Sequence, residues 1–233
     1  MEKRIFILLV LALFLAGCEG KVVSQEDAWL ETRDNVKIYS TIWYSRGDKA
    51  VILLHMLDRD RDDWRFFANK LNVFRISAIG IDLRGHGESD GDWNDFSDRD
   101  FLGMVYDVEA AQDKLEKEGK KVVGIVGADI GADLALKYAV RNPDIRCLVL
   151  LSPGIAYKSI NVEEDIGKLD IPVFVAASSE DAYPYESAEI IYEKLVGEKE
   201  IFRGEGLGHG SDMLLRSEEL QNKVFDFLNK NLK

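Results

Sequence analysis

Cysteine, histidine and proline are all scarce in this chain of 233 residues, which has two, three and four of them. Two cysteines, Cys18 and Cys147, are too few for a disulfide-stapled scaffold. The histidines, His55, His86 and His209, stand far apart with no second His or Cys at ligand spacing. No metal centre is therefore expected, and no organic cofactor is implied. Positive charge is also short: 30 Lys and Arg against 42 Asp and Glu leave a net charge of −12. Such an acidic chain has no electrostatic grip on nucleic acid or on an anionic membrane surface. Nor is there an apolar run of the about 20 residues needed to span a bilayer. The longest at the N-terminus, Ile5 to Ala16, is too short.

That short run has a specific setting. Lys3-Arg4 precede it as a positive n-region and Leu15-Ala16-Gly17-Cys18 close it with small residues, the pattern of a signal peptide over residues 1–17. The closing tetrad resembles a bacterial-type lipobox. The resemblance implies that Cys18 is lipidated and becomes the mature N-terminus, leaving an extracytoplasmic protein held at the cell membrane by its lipid alone. An ordinary secretory signal with a chance cysteine is the alternative. Residues 18–27 are polar and read as a tether, and residues 28–233 have the length of one domain. Cys147, inside the apolar run 145–151, reads as a small buried strand residue.

A turn at 33–35 between β-rich runs at 28–32 and 36–44 predicts an entry hairpin. Apolar runs at 50–55, 75–82, 121–126, 145–152, 171–177 and 199–203 then alternate with helical patterns at 61–71, 98–118, 130–139, 185–195 and 211–231. Near-continuous apolar strands between helices predict an α/β fold: a mostly parallel central sheet with helices on both faces, entered through an antiparallel hairpin. No period of 20 to 50 residues recurs.

One strand-to-helix junction carries chemistry. Gly127-Ala128-Asp129-Ile130-Gly131 has the form of a G-x-S-x-G nucleophile elbow with aspartate where the serine would stand. A side chain at either glycine would collide with the sheet or the approaching helix. Asp129 has a second reading as a helix N-cap, a role that needs no catalysis. The N–H of Ile130, at the start of the helix, points with the helix dipole toward the site.

Taken in order, the motifs resemble the α/β-hydrolase superfamily from about Ala28 onward. Leu53-Leu54-His55-Met56 sits where that family has its oxyanion segment, and Asp82-Leu83-Arg84-Gly85-His86-Gly87-Glu88-Ser89 matches its D-x-R-G-H-G-x-S loop. The elbow, an acid after a late strand (Asp181) and a histidine before the last helix (His209) follow in the family's order. The resemblance implies Asp129, Asp181 and His209 as the catalytic set and backbone N–H groups of Met56 or Leu57 and Ile130 as oxyanion donors. Glu180 is the competing acid. His55 and His86 fall in motifs that shape loops, so a structural role is expected for both.

A carboxylate at the elbow changes the chemistry. Its attack on an ester carbonyl would give a high-energy anhydride, whereas attack on a saturated carbon, displacing halide or opening an epoxide, gives an alkyl ester that water activated by His209 can hydrolyse. The Asp-nucleophile members of the superfamily carry a helical cap after the strand that precedes the acid, but between Ser152 and Ile171 only 153–170 are available. In length the chain resembles the compact, cap-less esterase and dienelactone-hydrolase-like members. Three readings stay open: a hydrolase of a small organic substrate acting through an Asp nucleophile, ester hydrolysis with Asp129 as general base, and a non-catalytic lipoprotein that keeps a binding pocket. Nothing in the sequence indicates a protein partner.

Overall fold

The structure, a computed structural model, describes residues 24–232. The signal segment and Cys18 lie outside the described residues. In chain order the elements are β1 (Ser24–Glu31), β2 (Lys37–Tyr44), β3 (Lys49–Leu54), α1 (Arg65–Val73), β4 (Ser77–Ile81), α2 (Asp98–Gly103), α3 (Val105–Lys117), β5 (Lys121–Ala128) and α4 (Ile130–Ala139). They continue with β6 (Cys147–Leu151), β7 (Ala156–Tyr157), β8 (Ile160–Asn161), α5 (Glu163–Ile166), β9 (Val173–Ser178), α6 (Ala182–Lys194), β10 (Lys199–Gly204), α7 (Asp212–Arg216) and α8 (Glu218–Asn231).

Eight strands form one sheet in the order β1-β2-β4-β3-β5-β6-β9-β10. β1 and β2 pair antiparallel, as do β2 and β4, and every other pairing is parallel. Alternation along the strands builds two cores. Ala50, Ile52 and Leu54 of β3 join residues of α3, α4 and α6 on one face, while Val51 and Leu53 join residues of α1, α7 and α8 on the other. Strands buried on both faces read as unbroken apolar runs, which is why they stand out in the sequence. Cys147 is free and fully buried in β6, and burial pushes its thiol up to about 12.

Three boundaries differ from the sequence expectation. β1 begins at Ser24, inside the stretch expected to be a tether, because Ser24 to Asp27 pair with Tyr44 to Thr41 at the sheet edge and leave their polar side chains exposed. The helical pattern at 98–118 is broken at Met104. The Arg84 guanidinium passes under Gly103, where an added Cβ would lie 2.6 Å from Nη1, and the chain restarts as α3. The closing helix is likewise two, since Ser217 leaves the helical conformation and its side chain caps α8 by accepting from the Leu220 N–H. Among the described residues no helix is long and apolar enough to cross a membrane.

The chain order reverses between β3, which runs on to β4 on one side, and β5 on its other side. Crevices at such reversals, beyond the carboxyl ends of parallel strands, are where α/β sheets bind ligands. The loops after β3, β5, β9 and β10 all open there.

Candidate active site

Gly127 and Gly131 make the turn after β5 by close approach. A Cβ on Gly127 would lie 2.2 Å from the Gly131 carbonyl oxygen, and one on Gly131 would lie 2.5 Å from that of Leu54. The helix is thereby pressed against the ends of β5 and β3. Between the glycines Asp129 takes φ 52° and ψ −121°, a strained conformation for a residue with a side chain. The helix-cap reading of Asp129 fails here, because its side chain accepts nothing from the first turn of α4. Instead the carboxylate turns across the crevice. Oδ2 accepts from the Leu57 N–H at 3.1 Å, and Oδ1 lies 3.6 Å from His209 Nε2, an ion-pair distance rather than a hydrogen bond.

His209 comes from the loop after β10, between Gly208 and Gly210, both at positive φ. Its Nδ1 is 2.5 Å from Asp181 Oδ2, and Asp181 stands just ahead of α6 at the end of β9. The three residues assembled from motif order thus meet in space, with the imidazole between two carboxylates. Asp129 above all, and then Asp181, outweigh its partial burial and raise its pKa to about 9. In the resting site His209 is an imidazolium and no base.

Glu180, the competing acid, faces elsewhere. It accepts from Ser178 Oγ and from the N–H groups of Gly206 and Gly208, contacts that hold its carboxyl down at about 2 and fasten the His209 loop to β9. A second fastener was not legible in the sequence. Ser152, at φ 49° after β6, accepts the Gly210 N–H on its Oγ at 2.9 Å. Its positive φ comes from the backbone and leaves no mark in composition.

Of the candidate oxyanion donors, the Leu57 N–H is the one that meets the carboxylate. The Met56 carbonyl is turned back to accept His55 Nδ1–H at 2.7 Å, and no hydrogen bond of the Met56 or Ile130 N–H is found among the described residues. His55 Nε2 accepts from the Leu83 N–H, and burial lowers its pKa to about 3, so it is a neutral strut between two loops. The D-x-R-G-H-G-x-S segment is equally structural. Asp82 pairs with Arg61 and accepts the Glu88 N–H, Arg84 reaches Asp107 and Asp34, and Ser89 Oγ donates to the Asp82 carbonyl.

The stretch where a cap would be inserted holds only β7, β8 and α5. Tyr183 braces it: its hydroxyl accepts from the Ile155 and Ala156 N–H groups and donates to the Ala156 carbonyl. Tyr157 on this hairpin has its phenol pushed up by burial and by the charge of Asp129. One turn into α4, Asp133 is buried. Its Oδ1 accepts the Gly154 N–H at 2.8 Å and its Oδ2 has no partner, so burial holds the carboxyl well above the usual range. Among the described residues no group of three or more His, Cys, Asp or Glu could hold a metal ion.

Comparisons with known proteins agree with this architecture. Over 127 residues the chain is 28% identical to the AB hydrolase superfamily protein YisY of Bacillus subtilis, which covers 53% of this chain and 44% of that protein. Over 114 residues it is 30% identical to an uncharacterised protein of Mycobacterium tuberculosis, 48% of this chain and 31% of that one. The matches thus take in less than half the length of these curated relatives. Among solved structures, the esterase Pf2001 of Pyrococcus furiosus superposes with a TM-score of 0.79 at 22% identity, covering 91% of this chain and 94% of that one. Est1E of Butyrivibrio proteoclasticus, solved with ferulic acid bound, gives 0.74 at 17% identity over 88% and 99%. Residues 49–179, more than half of the chain and the stretch that carries the elbow, match the family described as alpha/beta hydrolase fold, and the protein belongs to that family.

Proposed function

We propose that this protein is a hydrolase that uses Asp129 as a nucleophile toward a small organic substrate with an electrophilic saturated carbon, a halide or an epoxide. Oδ1 forms a bond to that carbon as the carbon–halogen or carbon–oxygen bond breaks, leaving an alkyl ester of Asp129 and either a halide ion, which departs to solvent, or an alkoxide, which takes the proton of the His209 imidazolium. The charge that raises the His209 pKa most is then gone, and the imidazole can lose its proton and act as base. Water deprotonated by His209 attacks Cγ, the electron pair moves onto Oδ2, and collapse expels the alcohol with a proton returned from His209.

The observation that carries this reading is the Leu57 N–H on Asp129 Oδ2. The oxygen that becomes the oxyanion in the second step already sits on its donor. That donor is occupied by the carboxylate itself, so an incoming ester carbonyl would have to turn to the Met56 or Ile130 N–H, unpaired among the described residues. Direct ester hydrolysis with Asp129 as general base is the second reading, suggested by the esterases among the structural neighbours.

Replacing His209 with Gln separates the readings. Incubated with haloalkane and epoxide panels, the variant should accumulate a covalent adduct on Asp129 by intact mass. Ester turnover by the natural protein with no adduct in the variant favours the general base, and no adduct or turnover on any panel defeats both. Tethering through a lipid on Cys18 belongs to the same proposal, supported by the lipobox-like tetrad. A Cys18→Ser change should move the protein from the detergent phase to the aqueous phase, and unchanged partition would refute the anchor.

A further inference from the structure

Two residues that carry side chains take positive φ directly at the carboxyl ends of neighbouring strands: Asp129 after β5, at 52°, and Ser152 after β6, at 49°. For Asp129 the strain turns a carboxylate into the crevice. Ser152 is fully buried and closed to substrate, so its strain has another use. Glycine would take that backbone conformation at less cost, which leaves the hydroxyl as the reason for a side chain there.

The hydroxyl makes one strong bond. Oγ accepts the Gly210 N–H at 2.9 Å, and its own hydrogen goes to Met213 Sδ at 3.9 Å, a weak acceptor. Gly210 follows His209 and is wedged at φ 54°, where an added Cβ would lie 2.4 Å from Met56 Sδ and 3.4 Å from Ala128 Cβ. With Met56, Ala128 and Met213 all buried around it, the Gly210 N–H depends on the Ser152 hydroxyl.

Ahead of His209 in the chain, the N–H groups of Gly206, Leu207 and Gly208 are held by Glu180 and Ser178 from the end of β9. Ser152 supplies the hold after His209. The residue before Ser152 completes the link, because the Leu151 carbonyl accepts the Asp129 N–H at 2.9 Å. Two consecutive residues thus fasten the nucleophile and the base, and the 3.6 Å between Asp129 Oδ1 and His209 Nε2 is set through them. Water that attacks Cγ of the alkyl ester must stand within reach of Nε2, and a displacement of about 1 Å at such a step costs about a hundredfold in rate.

We propose that Ser152 is a positioning residue for the base: through the Gly210 peptide it holds the His209 imidazole at the distance from Asp129 that the hydrolytic step requires. The inference rests on the Asp129 nucleophile for that step, while the position of His209 is read in the resting protein. Ser152→Ala removes the hydroxyl alone, and Ser152→Gly removes it while easing the backbone. In both, 15N-histidine NMR should show His209 with about tenfold lower proton affinity, because its pairing with Asp129 loosens, and in an Asp129→Asn background the same changes should have no effect. A role limited to stability would shift unfolding and leave that cycle flat. With a haloalkane or epoxide substrate the hydrolytic step should slow by roughly ten- to a hundredfold, so that adduct accumulates on Asp129 by intact mass while its rate of formation changes little. An unchanged His209 titration in both variants, or an equal change with and without the Asp129 carboxylate, would overturn the assignment, as would adduct that accumulates in His209→Gln and in neither Ser152 variant. A missing adduct in His209→Gln defeats the nucleophile reading instead, and the titration cycle then decides the role of Ser152 by itself.

Discussion

Asp129 and Asp133 are one helical turn apart at the start of α4, and the fold treats the two carboxylates in opposite ways. Asp129 is thrown out of the helix by φ 52° and meets an N–H donor on one oxygen and an imidazolium near the other. Asp133 is folded inward with one N–H partner, one orphaned oxygen and no cation, so burial holds its carboxyl well above the usual carboxylate range. The first keeps a carboxylate facing the crevice between an N–H donor and an imidazole, and the second is buried away from any cation. Residue type alone distinguishes neither. The backbone conformation at the elbow decides which carboxylate faces the crevice.

The comparison can be broken most forcefully at Asp129. Asp129→Ala should lower turnover of the true substrate by roughly 10⁴-fold and also forfeit the stability of its pairing with His209, whereas Asp133→Asn should change turnover by less than about tenfold. Comparable losses in both variants would remove the distinction between them. Closing the elbow is the next largest effect. Gly131→Ala places a Cβ against the Leu54 carbonyl and should cost about 1–3 kcal/mol in denaturant unfolding, together with activity, since the carboxylate and its Leu57 donor are displaced relative to each other.

Smaller effects follow from titration. A raised folded-state pKa on His209 contributes stability that is fully present below its unfolded value of 6.5 and is lost as pH rises through about 9. Unfolding free energy should therefore decline over that window, and the decline should shrink in Asp129→Asn, whose His209 should titrate lower by NMR. An Asp129→Asn protein with an unchanged His209 titration would contradict the ion-pair account. Asp133 has the opposite charge logic. An acid whose folded pKa is raised becomes destabilising as pH climbs above its unfolded value of 3.8, so Asp133→Asn should flatten the stability profile above that pH and gain about 1 kcal/mol near neutrality. Unchanged stability across that range would show that the Asp133 carboxyl is not held above the usual range.

What could be read beforehand follows the physics of each feature. The parallel strands, buried on both faces, and the elbow glycines, required by backbone approach, both leave strong marks in sequence. The edge strand β1 leaves little, because Ser24 to Asp27 contribute backbone pairing and no core. Asp181 and Glu180 are adjacent acids that only the turn after β9 separates, one toward His209 and the other toward the Gly206 and Gly208 N–H groups. The choice of Leu57 over Met56 depends on which way one peptide plane is turned. Arg84 packs against Gly103 just ahead of the break at Met104, a long-range contact that helical periodicity does not record.

The close approach of Gly131 to the carbonyl of Leu54 has a dynamic consequence. It joins the end of β3, which leads to the Leu57 donor, and the start of α4, which carries Asp129, into one mechanical unit. The hydrogen-bonded amides within 54–57 and 127–131 should open to hydrogen exchange together, as a single event slower than the exchange of the hairpin at 156–161.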